Sequence, residues 1–574
     1  MLQRLNGFND FVTKAMAEWK VPGLAVAIVK EEKVVFCEGF GLRDAEKNLK
    51  VTPATIFAIG SSTKAFTTMA MGILVDDGKL NWDRPLRHYL STFKMHDSFA
   101  SERMTPRDLV THRSGLPRHD LMWYNTAFSR REIFDRLQYL APSKDFRAYF
   151  QYQNLMYLTA GYLVGELSGS SWEAFVKERI FKPLEMAGSN FSVCESQQTA
   201  DFALPYTEKA DEIMAIPFRN IDVVGPAGSI NSSVNDMTNW LLLHLGKGRY
   251  KGLQIISEGN LHQMHTPQMV IQEMVSPLAA FTRYDEVGHA SYGLGWFVEP
   301  YRGHNLIHHG GNIDGFSALV SFMPQRGIGV VVLTNRNGNP LPTIVAYNAY
   351  DRLLELGELP WSRRIKEDAD RLKEAGAKAK EKSATDRKAE APPSHRLGDY
   401  TGLFEHPGYG VIAIVMKDDQ LELTYNSMTF ALEHYHYDIF EMIYELFDMR
   451  MKVSFRTDAK GNINSLSIPM EASVAEIVFT RVPDKHLTDR SLLEQFAGEY
   501  ELLDKSIIVA LKGEDRLALS LPDQPDYELV PYQGAEFTLK GLPEFSIEFK
   551  RDEAGVVTEA VVIQPNAVFM ARKK

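Results

Sequence analysis

The stretch that decides the fold is Phe57–Ala70, FAIGSSTKAFTTMA, where a short apolar run passes into a helical pattern. Ser61 and Lys64 lie three residues apart at the start of that pattern, so they share one face of a helix. The N–H groups and the positive dipole end at a helix start favour a developing oxyanion. If apolar neighbours desolvate Lys64, its pKa falls and it can act as a base towards Ser61. The alternative is a helix N-cap with a solvated lysine, since Ser91 and Lys94 have the same spacing.

The patterns on either side of this stretch predict one α/β unit over residues 1–357. Two β-branched runs, Gly23–Lys30 and Lys33–Gly41, flank a charged pair and indicate an antiparallel hairpin. A helical stripe begins at Phe66 and stops at Gly78. Helical patterns follow at 157–167 and 172–180, and strand patterns return at 294–298, 305–309, 316–323 and 327–334. Because strands come first and last, we expect one sheet that both ends of the unit complete.

A second candidate motif is Tyr152-Gln-Asn154, which precedes a helical pattern some ninety residues after Ser61. A lone Tyr-x-Asn is more typical of a turn. Its position after the serine and before a helix is what makes Tyr152 and Asn154 candidates for the same site.

A third motif, His308-His309-Gly310-Gly311, lies on one of the late strands. Adjacent histidines suggest a metal, but neighbouring side chains on a strand point to opposite faces and cannot easily chelate one ion. His262 and His265 have the spacing of one helix face, yet no acidic ligand or HExxH pattern accompanies them. We therefore expect no metal and no other cofactor.

In this order the three motifs resemble the serine β-lactamase and penicillin-binding protein superfamily, specifically its class C-like branch. That branch includes class C β-lactamases, D-aminopeptidases, related serine peptidases and family VIII carboxylesterases. The resemblance covers roughly residues 5–355. It rests on Phe57–Lys64, Leu109–Leu116, Gly161–Gly169, Tyr292–Trp296 and the strand of His308.

The resemblance implies an antiparallel sheet flanked by helices, a helical subdomain, and an active site between the two. It also implies an acyl-enzyme mechanism with Ser61 as the nucleophile, and with Lys64 and Tyr152 sharing proton transfer. Asn154 would hold a substrate amide or carbonyl. The substrate and oxyanion side would be completed by His308, Gly310 and Gly311, with the N–H groups of Ser61 and Gly311 forming the oxyanion hole.

One departure from the family pattern affects the substrate. Class C β-lactamases carry Lys-Thr-Gly where this chain has His308-His309-Gly310. A histidine there resembles D-aminopeptidases and related peptidases. The family's lysine helps to hold the substrate carboxylate, so we do not expect efficient β-lactam hydrolysis.

The rest of the chain predicts a linker and two small β domains. Residues 358–394 are rich in Lys, Ala and Glu and indicate a charged helical linker. Residues 395–484 and 485–574 repeat short strand motifs at an offset near 95 residues, such as Tyr400-x-Gly402 with Phe496-x-Gly498. Two tandem antiparallel β-barrels fit this repeat, and a single larger β structure is the alternative. The resemblance points the same way, since D-aminopeptidases carry two such barrels and other members one lipocalin-like domain.

Composition narrows the class of protein. The 574 residues are 44% hydrophobic and 24% charged, as in a soluble globular protein, and the net charge of −11 argues against nucleic-acid binding. Two cysteines exclude a disulfide framework. The N-terminus lacks the pattern of a signal peptide, so we expect a cytoplasmic protein that does not bind membranes, or a periplasmic or secreted one if a signal was removed.

The function expected from the sequence is a serine hydrolase that cleaves short peptides or amides, with D-residue peptides included in that class. A family VIII-type carboxylesterase is the alternative. A penicillin-binding or sensing protein, or a weak β-lactamase, is a third reading. The partner is then a small molecule or short peptide, and the sequence is compatible with a homo-oligomer.

Overall fold

The computed structural model describes residues 2–272, 284–444, 449–483, 485–502, 505–513, 515–522 and 524–574. A large antiparallel sheet organises the N-terminal domain. The strands of this domain are β1 (Gly23–Lys30), β2 (Lys33–Asp44), β3 (Leu49–Lys50), β4 (Phe57–Ala58), β5 (Tyr206–Lys209), β6 (Glu212–Ala215), β7 (Asn231–Ser232), β8 (Arg249–Tyr250), β9 (Leu253–Gln254), β10 (Met269–Val270), β11 (Ser291–Tyr292), β12 (Phe297–Tyr301), β13 (His304–Ile313), β14 (Phe316–Met323) and β15 (Ile328–Thr334).

The large sheet has the strand order β10-β11-β12-β13-β14-β15-β1-β2-β3. The expected hairpin is confirmed, because β1 pairs antiparallel with β2 and places Gly23 opposite Gly41. On its other side β1 pairs with β15, which places Leu24 opposite Thr334. The sheet is therefore completed by both ends of the domain, as the order of strand patterns predicted.

Helices cover both faces of this sheet. They are α1 (Phe8–Glu18), α2 (Thr63–Asp76), α3 (Ser98–Arg103), α4 (Pro106–Leu109), α5 (Asp120–Trp123), α6 (Arg130–Arg136), α7 (Leu155–Ser168), α8 (Trp172–Val176), α9 (Val193–Ser196), α10 (Gly225–Gly228), α11 (Val234–Leu245), α12 (Glu258–Met264) and α13 (Leu341–Leu353). Alternate residues of β1 enter two different cores, since successive side chains of a strand point to opposite faces. One core holds α1 and α13, and the other holds α2, α7 and α11.

The linker forms the long helix α14 (Trp361–Thr385). Its first residue packs into the domain: Trp361 is buried and donates from Nε1 to Tyr301 Oη at 3.1 Å. After the helix the chain meets the first barrel, where Tyr437 N donates to Ala391 O at 2.8 Å and Ser394 N to Asp438 Oδ1 at 2.9 Å. The linker is thus held at both ends.

The C-terminal region forms two closed eight-stranded antiparallel barrels, which confirms the tandem arrangement. Barrel 1 consists of β16 (Gly402–His406), β17 (Gly410–Lys417), β18 (Gln420–Tyr425), β19 (Met428–His436), β20 (Ile439–Tyr444), β21 (Met449–Thr457), β22 (Ile463–Ile468) and β23 (Ile477–Val482). Helix α15 (Arg490–Phe496) leads into barrel 2. Barrel 2 consists of β24 (Gly498–Leu502), β25 (Lys505–Leu511), β26 (Leu517–Ser520), β27 (Tyr527–Gln533), β28 (Glu536–Leu539), β29 (Leu542–Arg551), β30 (Val557–Gln564) and β31 (Ala567–Lys573). Across the described parts of the chain, no helix combines the length and the apolar character needed to cross a membrane.

Candidate active site

Ser61 is placed by a short strand that turns directly into a helix. Strand β4 pairs with β7, and Ile59 N continues the pairing by donating to Ile230 O at 3.0 Å. The chain then turns at Gly60, which has a φ of 50°, into one turn of 3-10 helix that leads into α2. A Cβ on Gly60 would come within 2.8 Å of Asn312 N on β13, so only glycine fits here. Ser61 therefore sits at a helix start, directly beside β13.

Lys64 is fully buried and makes three close polar contacts. Its Nζ lies 3.0 Å from Ser61 Oγ, 2.8 Å from Asn154 Oδ1 and 2.8 Å from Ala227 O. Burial lowers the pKa of Lys64 well below its usual value, and the nearby Arg118 guanidinium lowers it further. A neutral amine has two protons, which Asn154 and Ala227 can accept. Its lone pair is then left for the proton of the Ser61 hydroxyl.

Tyr152 stands on the other side of the lysine. Lys64 Nζ lies 4.9 Å from the centroid of the Tyr152 ring, and Arg118 Cζ lies 5.3 Å from it. Burial raises the pKa of Tyr152 above its usual value, while a hydrogen bond with the Ser61 hydroxyl and the charge of Arg118 oppose that rise. Tyr152 is therefore a neutral phenol near neutral pH, able to donate a proton.

Asn154 links Lys64 to a residue that the sequence did not single out. Its Oδ1 accepts from Lys64, and its Nδ2 donates to Asp120 Oδ1 at 3.0 Å. Trp123 Nε1 also donates to Asp120 Oδ1 at 2.9 Å, and Arg118 pairs with Asp120 Oδ2 at 2.5 Å. Both ends of the Asn154 side chain are thus engaged within the protein. The predicted contact of Asn154 with a substrate amide stays a prediction.

The two histidines of β13 have different surroundings. His309 is buried on the face of Ser61: its ring centroid lies 6.2 Å from that of Tyr152, and its Nε2 lies 3.0 Å from Tyr292 Oη. Burial, with the nearby Lys64, lowers the pKa of His309 to about 3, so its imidazole is neutral.

His308 points to the opposite face of the sheet. Its Nε2 lies 3.2 Å from Glu299 Oε1, and its ring stacks on Phe297 at 5.4 Å between centroids. The structure thus corrects the expected position of His308, because neighbouring side chains on a strand alternate between faces. The histidine beside Lys64 and Tyr152 is His309.

The backbone of β13 decides which N–H groups face Ser61. The two-residue loop between β13 and β14 closes on Ile313 and Phe316, and such a closing pair is hydrogen-bonded. Alternate residues back along β13, Gly311 and His309, therefore also bond to β14. The N–H groups of Gly310 and Asn312 face away from β14. Strand β12 pairs with β13 only as far as His308, so no residue of β12 lies opposite these two N–H groups.

Because of this alternation, the candidate oxyanion donor on β13 lies one residue further along the strand than the sequence predicted. Asn312 N, rather than Gly311 N, faces the gap beside Gly60 and Ser61. Gly311 has a different requirement, since a Cβ there would lie 1.9 Å from Ile59 O. The structure thus places the N–H of Asn312, and not that of Gly311, beside the gap, and the backbone of Gly310 also faces it.

The structure brings most of the predicted residues together and adds several that sequence reasoning missed. Ser61, Lys64, Tyr152, Asn154 and Gly310 converge, and His308 does not. The additions are Arg118, Asp120, His309 as a side chain of the site, Asn312, and Tyr157, whose ring centroid lies 5.3 Å from Lys64 Nζ. Tyr292, within a stretch that carried the family resemblance, bonds His309. No local pattern marks Asp120.

One of the two candidate metal histidines, His265, is engaged with another histidine side chain. His265 Nε2 lies 2.9 Å from His244 Nδ1, and burial lowers the pKa of both rings. In the part of the chain that the structure describes, no group of three or more His, Cys, Asp or Glu residues is arranged to hold a metal ion.

Comparisons with known proteins cover the same regions. A family model described as Beta-lactamase matches residues 8–354, and a domain of unknown function, DUF3471, matches residues 386–481. The unguisins hydrolase ungD' of Aspergillus campestris is 26% identical over 431 residues, which are 72% of this chain and 78% of that protein. Protein flp of Staphylococcus aureus is 25% identical over 332 residues, which are 57% of this chain and 62% of that protein.

A solved structure shares the fold. The octameric penicillin-binding protein homologue from Pyrococcus abyssi matches 83% of this chain and 100% of its own, with a TM-score of 0.54 and 23% identity. The fold class expected from the sequence, a β-lactamase-like domain followed by two small antiparallel barrels, is confirmed.

Proposed function

The chain belongs to the Beta-lactamase family, and from that premise we propose that it is a serine hydrolase that works through an acyl-enzyme. One observation carries the proposal. Lys64 Nζ, buried and low in pKa, gives its two amine protons acceptors in Asn154 and Ala227 and lies 3.0 Å from Ser61 Oγ. A nucleophile and its base are thereby in hydrogen-bond reach.

The first half of the reaction forms the acyl-enzyme. Ser61 Oγ attacks the substrate carbonyl while Lys64 takes the hydroxyl proton, and the N–H groups of Ser61 and Asn312 hold the oxyanion. Tyr152 gives its phenol proton to the leaving nitrogen as the C–N bond breaks. The Lys64 ammonium then returns a proton to the Tyr152 oxygen, so that both groups recover their starting state.

The second half releases the acyl group. A water molecule attacks the ester carbon and gives one proton to Lys64. When the tetrahedral intermediate collapses, the C–O bond to Ser61 breaks and the serine oxygen takes that proton back. Apart from the substrate and this water molecule, no group outside the chain is needed to balance these steps.

We extend the proposal to the substrate: short peptides or amides, including those with D-residues. An amine departs only with a proton, and the neutral Tyr152 phenol can supply one. The histidine that faces Ser61, His309, is neutral, which disfavours substrates that depend on a cation at that point. The hydrolase name of the Aspergillus campestris relative agrees with a hydrolytic function.

The test is covalent labelling together with turnover. A fluorophosphonate should label the full chain once, and Ser61→Ala should abolish labelling while the matched Ser91→Ala keeps it. Lys64→Ala should lower kcat by about 10²–10⁴-fold, the usual size of a lost general base. The acid limb of the pH–kcat profile should report the lowered pKa of Lys64. Labelling of Ser61→Ala would contradict the assignment.

A substrate panel tests the finer proposal. Peptide anilides of L- and D-residues, short-chain p-nitrophenyl esters and a chromogenic β-lactam are compared by kcat/KM on one preparation. Turnover of the anilides supports the peptidase or amidase function. Turnover of the esters alone would replace it with the carboxylesterase.

We also propose that the chain forms a homo-oligomer, as the Pyrococcus abyssi homologue does. Val568 and Met570 on the outer wall of barrel 2 are each 63% exposed and offer an apolar contact. Light scattering after size-exclusion chromatography should give a mass that is a multiple of the chain mass, and the mass of a single chain would contradict this.

A further inference from the structure

The segment Arg118–Tyr124, here called the bridge segment, lies between the catalytic residues and barrel 1. On its inner side Asp120 Oδ1 accepts from Asn154 Nδ2 at 3.0 Å, and Asn154 in turn accepts from Lys64. Arg118 pairs with Asp120 and lies over the Tyr152 ring. These inner contacts therefore lead to groups of the proposed mechanism.

The outer side of the bridge segment is held by barrel 1. His119 N donates to Glu471 Oε2 at 3.0 Å, and Tyr409 Oη lies 2.7 Å from His119 Nδ1. Further contacts go to backbone carbonyls: Asn426 Nδ2 to Leu121 O at 3.0 Å and to Tyr124 O at 3.2 Å, and Tyr425 Oη to Leu121 O at 3.0 Å.

These contacts hold in place a stretch of backbone that has little regular secondary structure of its own. Helix α5 within it is one turn long, and His119 before it has a φ of 46°, in the left-handed region. A non-glycine residue keeps this conformation only when its surroundings hold it there. His119 is buried, its Nε2 lies 2.9 Å from Ala141 O, and its Nδ1 faces Tyr409. The Tyr409 hydroxyl can thus donate to Nδ1 while Nε2–H donates to Ala141.

The barrel presents its groups on tight, well-defined elements. Asn426 and Ser427 form the two-residue turn between β18 and β19 with φ values of 46° and 58°, which is the geometry of a rigid hairpin turn. Tyr425 ends β18, and Tyr409 directly precedes β17. The side chains that reach the bridge segment are therefore fixed by the barrel itself.

We infer that barrel 1 contributes to catalysis. It holds the bridge segment in place, and Asp120 of that segment then acts as a positioning residue for Asn154 and Lys64. The inference rests on the proposed function. An asparagine amide has two nearly equivalent orientations about its last torsion. Asp120 selects the one in which the amide oxygen faces Lys64, since its carboxylate accepts only from the nitrogen.

The charges around Lys64 make this role measurable. The titratable groups that face it are Arg118, Asp120, His112, Tyr152, Tyr157 and His309. Burial and Arg118 lower the pKa of Lys64, and Asp120 raises it. Loss of the Asp120 charge should therefore lower the pKa of Lys64 further and move the acid limb of the pH–kcat profile to lower pH.

Two substitutions at Asp120 separate orientation from charge. Asp120→Ala removes the acceptor and the charge, so kcat should fall by about 10²-fold, the cost of misplacing a catalytic group by about 1 Å. Asp120→Asn removes the charge but keeps an acceptor oxygen, so most of kcat should return. In both variants the acid limb should move to lower pH. Unchanged acid limbs, or equal losses of kcat in both variants, would overturn the positioning role.

The contribution of barrel 1 is tested in the full chain by a double-mutant cycle. Asn426→Ala and Tyr409→Phe should each lower kcat by about tenfold, with little change in KM, while the matched control Tyr437→Phe, on an exposed turn of the same barrel, should not. In the Asp120→Ala background the loss from Asn426→Ala should disappear, because Asn426 acts on the site only through the position of Asp120. Additive losses, or a normal kcat in Asn426→Ala, would overturn the inference.

The same measurements distinguish this inference from the function on which it rests. If fluorophosphonate does not label Ser61 in the unaltered chain, the proposed function fails. If Ser61 is labelled and turns over substrate, but the barrel 1 variants match the unaltered chain, only the inference fails.

Discussion

Barrel 1 and barrel 2 have the same fold but different relations to the catalytic domain. The interior of barrel 1 belongs to the same hydrophobic cluster as the helical core around α2 and α7, whereas barrel 2 encloses a separate core. Barrel 1 hydrogen-bonds the bridge segment, and barrel 2 contacts barrel 1. A repeated domain can thus supply one copy that is built into a site and another that is attached to the first.

A single turn shows how the copies diverge. Asp458 in barrel 1 and Asp552 in barrel 2 begin matching turns. In each turn the glycine N–H, of Gly461 or Gly555, donates to the backbone carbonyl oxygen of the aspartate at 3.0 Å. In barrel 1 the Asp458 carboxylate also accepts from the hydroxyl of Tyr532 in barrel 2. The same local sequence therefore makes a turn in both copies and a domain contact in one.

Removing whole barrels should give the largest contrast. A chain that ends at Ser394 lacks both barrels, and its turnover should fall by at least about 10²-fold, because the bridge segment loses its outer contacts. A chain that ends at Pro483 keeps barrel 1 and should stay within about twofold of the full chain. Turnover is measured per labelled Ser61, with near-ultraviolet circular dichroism as the control for folding. Equal turnover in both truncated chains would contradict the difference between the barrels.

A glycine pair compares the two barrels without removing either. Gly410 in barrel 1 and Gly541 in barrel 2 have φ values of 86° and 82°. Alanine at either should cost about 1–2 kcal/mol of unfolding free energy for the left-handed backbone. A Cβ on Gly410 would also lie 2.7 Å from Phe128 Cζ of the catalytic domain, which should add about 1–3 kcal/mol. Urea unfolding measures both variants, and a larger loss in Gly541→Ala would go against the docking of barrel 1.

Breaking the contact between the two barrels should have the smallest effect on stability and turnover. Lys460 pairs with Glu536 and donates to Ser546 Oγ at 3.2 Å across the two barrels. Because such a pair is partly solvent-exposed, Lys460→Ala should change the unfolding free energy by less than about 1 kcal/mol and leave kcat unaltered. The control is Lys540→Ala, which breaks a pair with Glu528 inside barrel 2. A lowered kcat in Lys460→Ala alone would mean that barrel 2 also acts on the site.

The features that the sequence predicted correctly have local or strongly periodic signals. Ser61 and Lys64 are neighbours on one helix, so their spacing alone brings them together. The pairing of β1 with β15 follows from two buried, β-branched strands at the ends of one domain. The two barrels were predicted from the strand motifs that repeat at an offset near 95 residues.

The features that the sequence did not predict depend on register or on distant contacts. Two adjacent histidines leave a one-residue ambiguity, and on a strand one residue decides which face a side chain occupies. The same alternation decided between Gly311 and Asn312. Asp120 meets Asn154 only because separate segments pack together, and the bridge segment has neither a helical nor a strand period to mark it.

The pairing of β1 with β15 also has a consequence for how the protein is made. Residues near 24 must wait on the ribosome until residues near 334 have emerged before the sheet can close. Contacts so distant in sequence cost loop-closure entropy before they return any stabilisation, which slows folding. The helical segments and each barrel are built from closer neighbours and can form as they appear. Strand β1 can pair with β2 early, but its other edge stays unpaired until β15 has emerged, and an unpaired apolar strand edge is prone to aggregation.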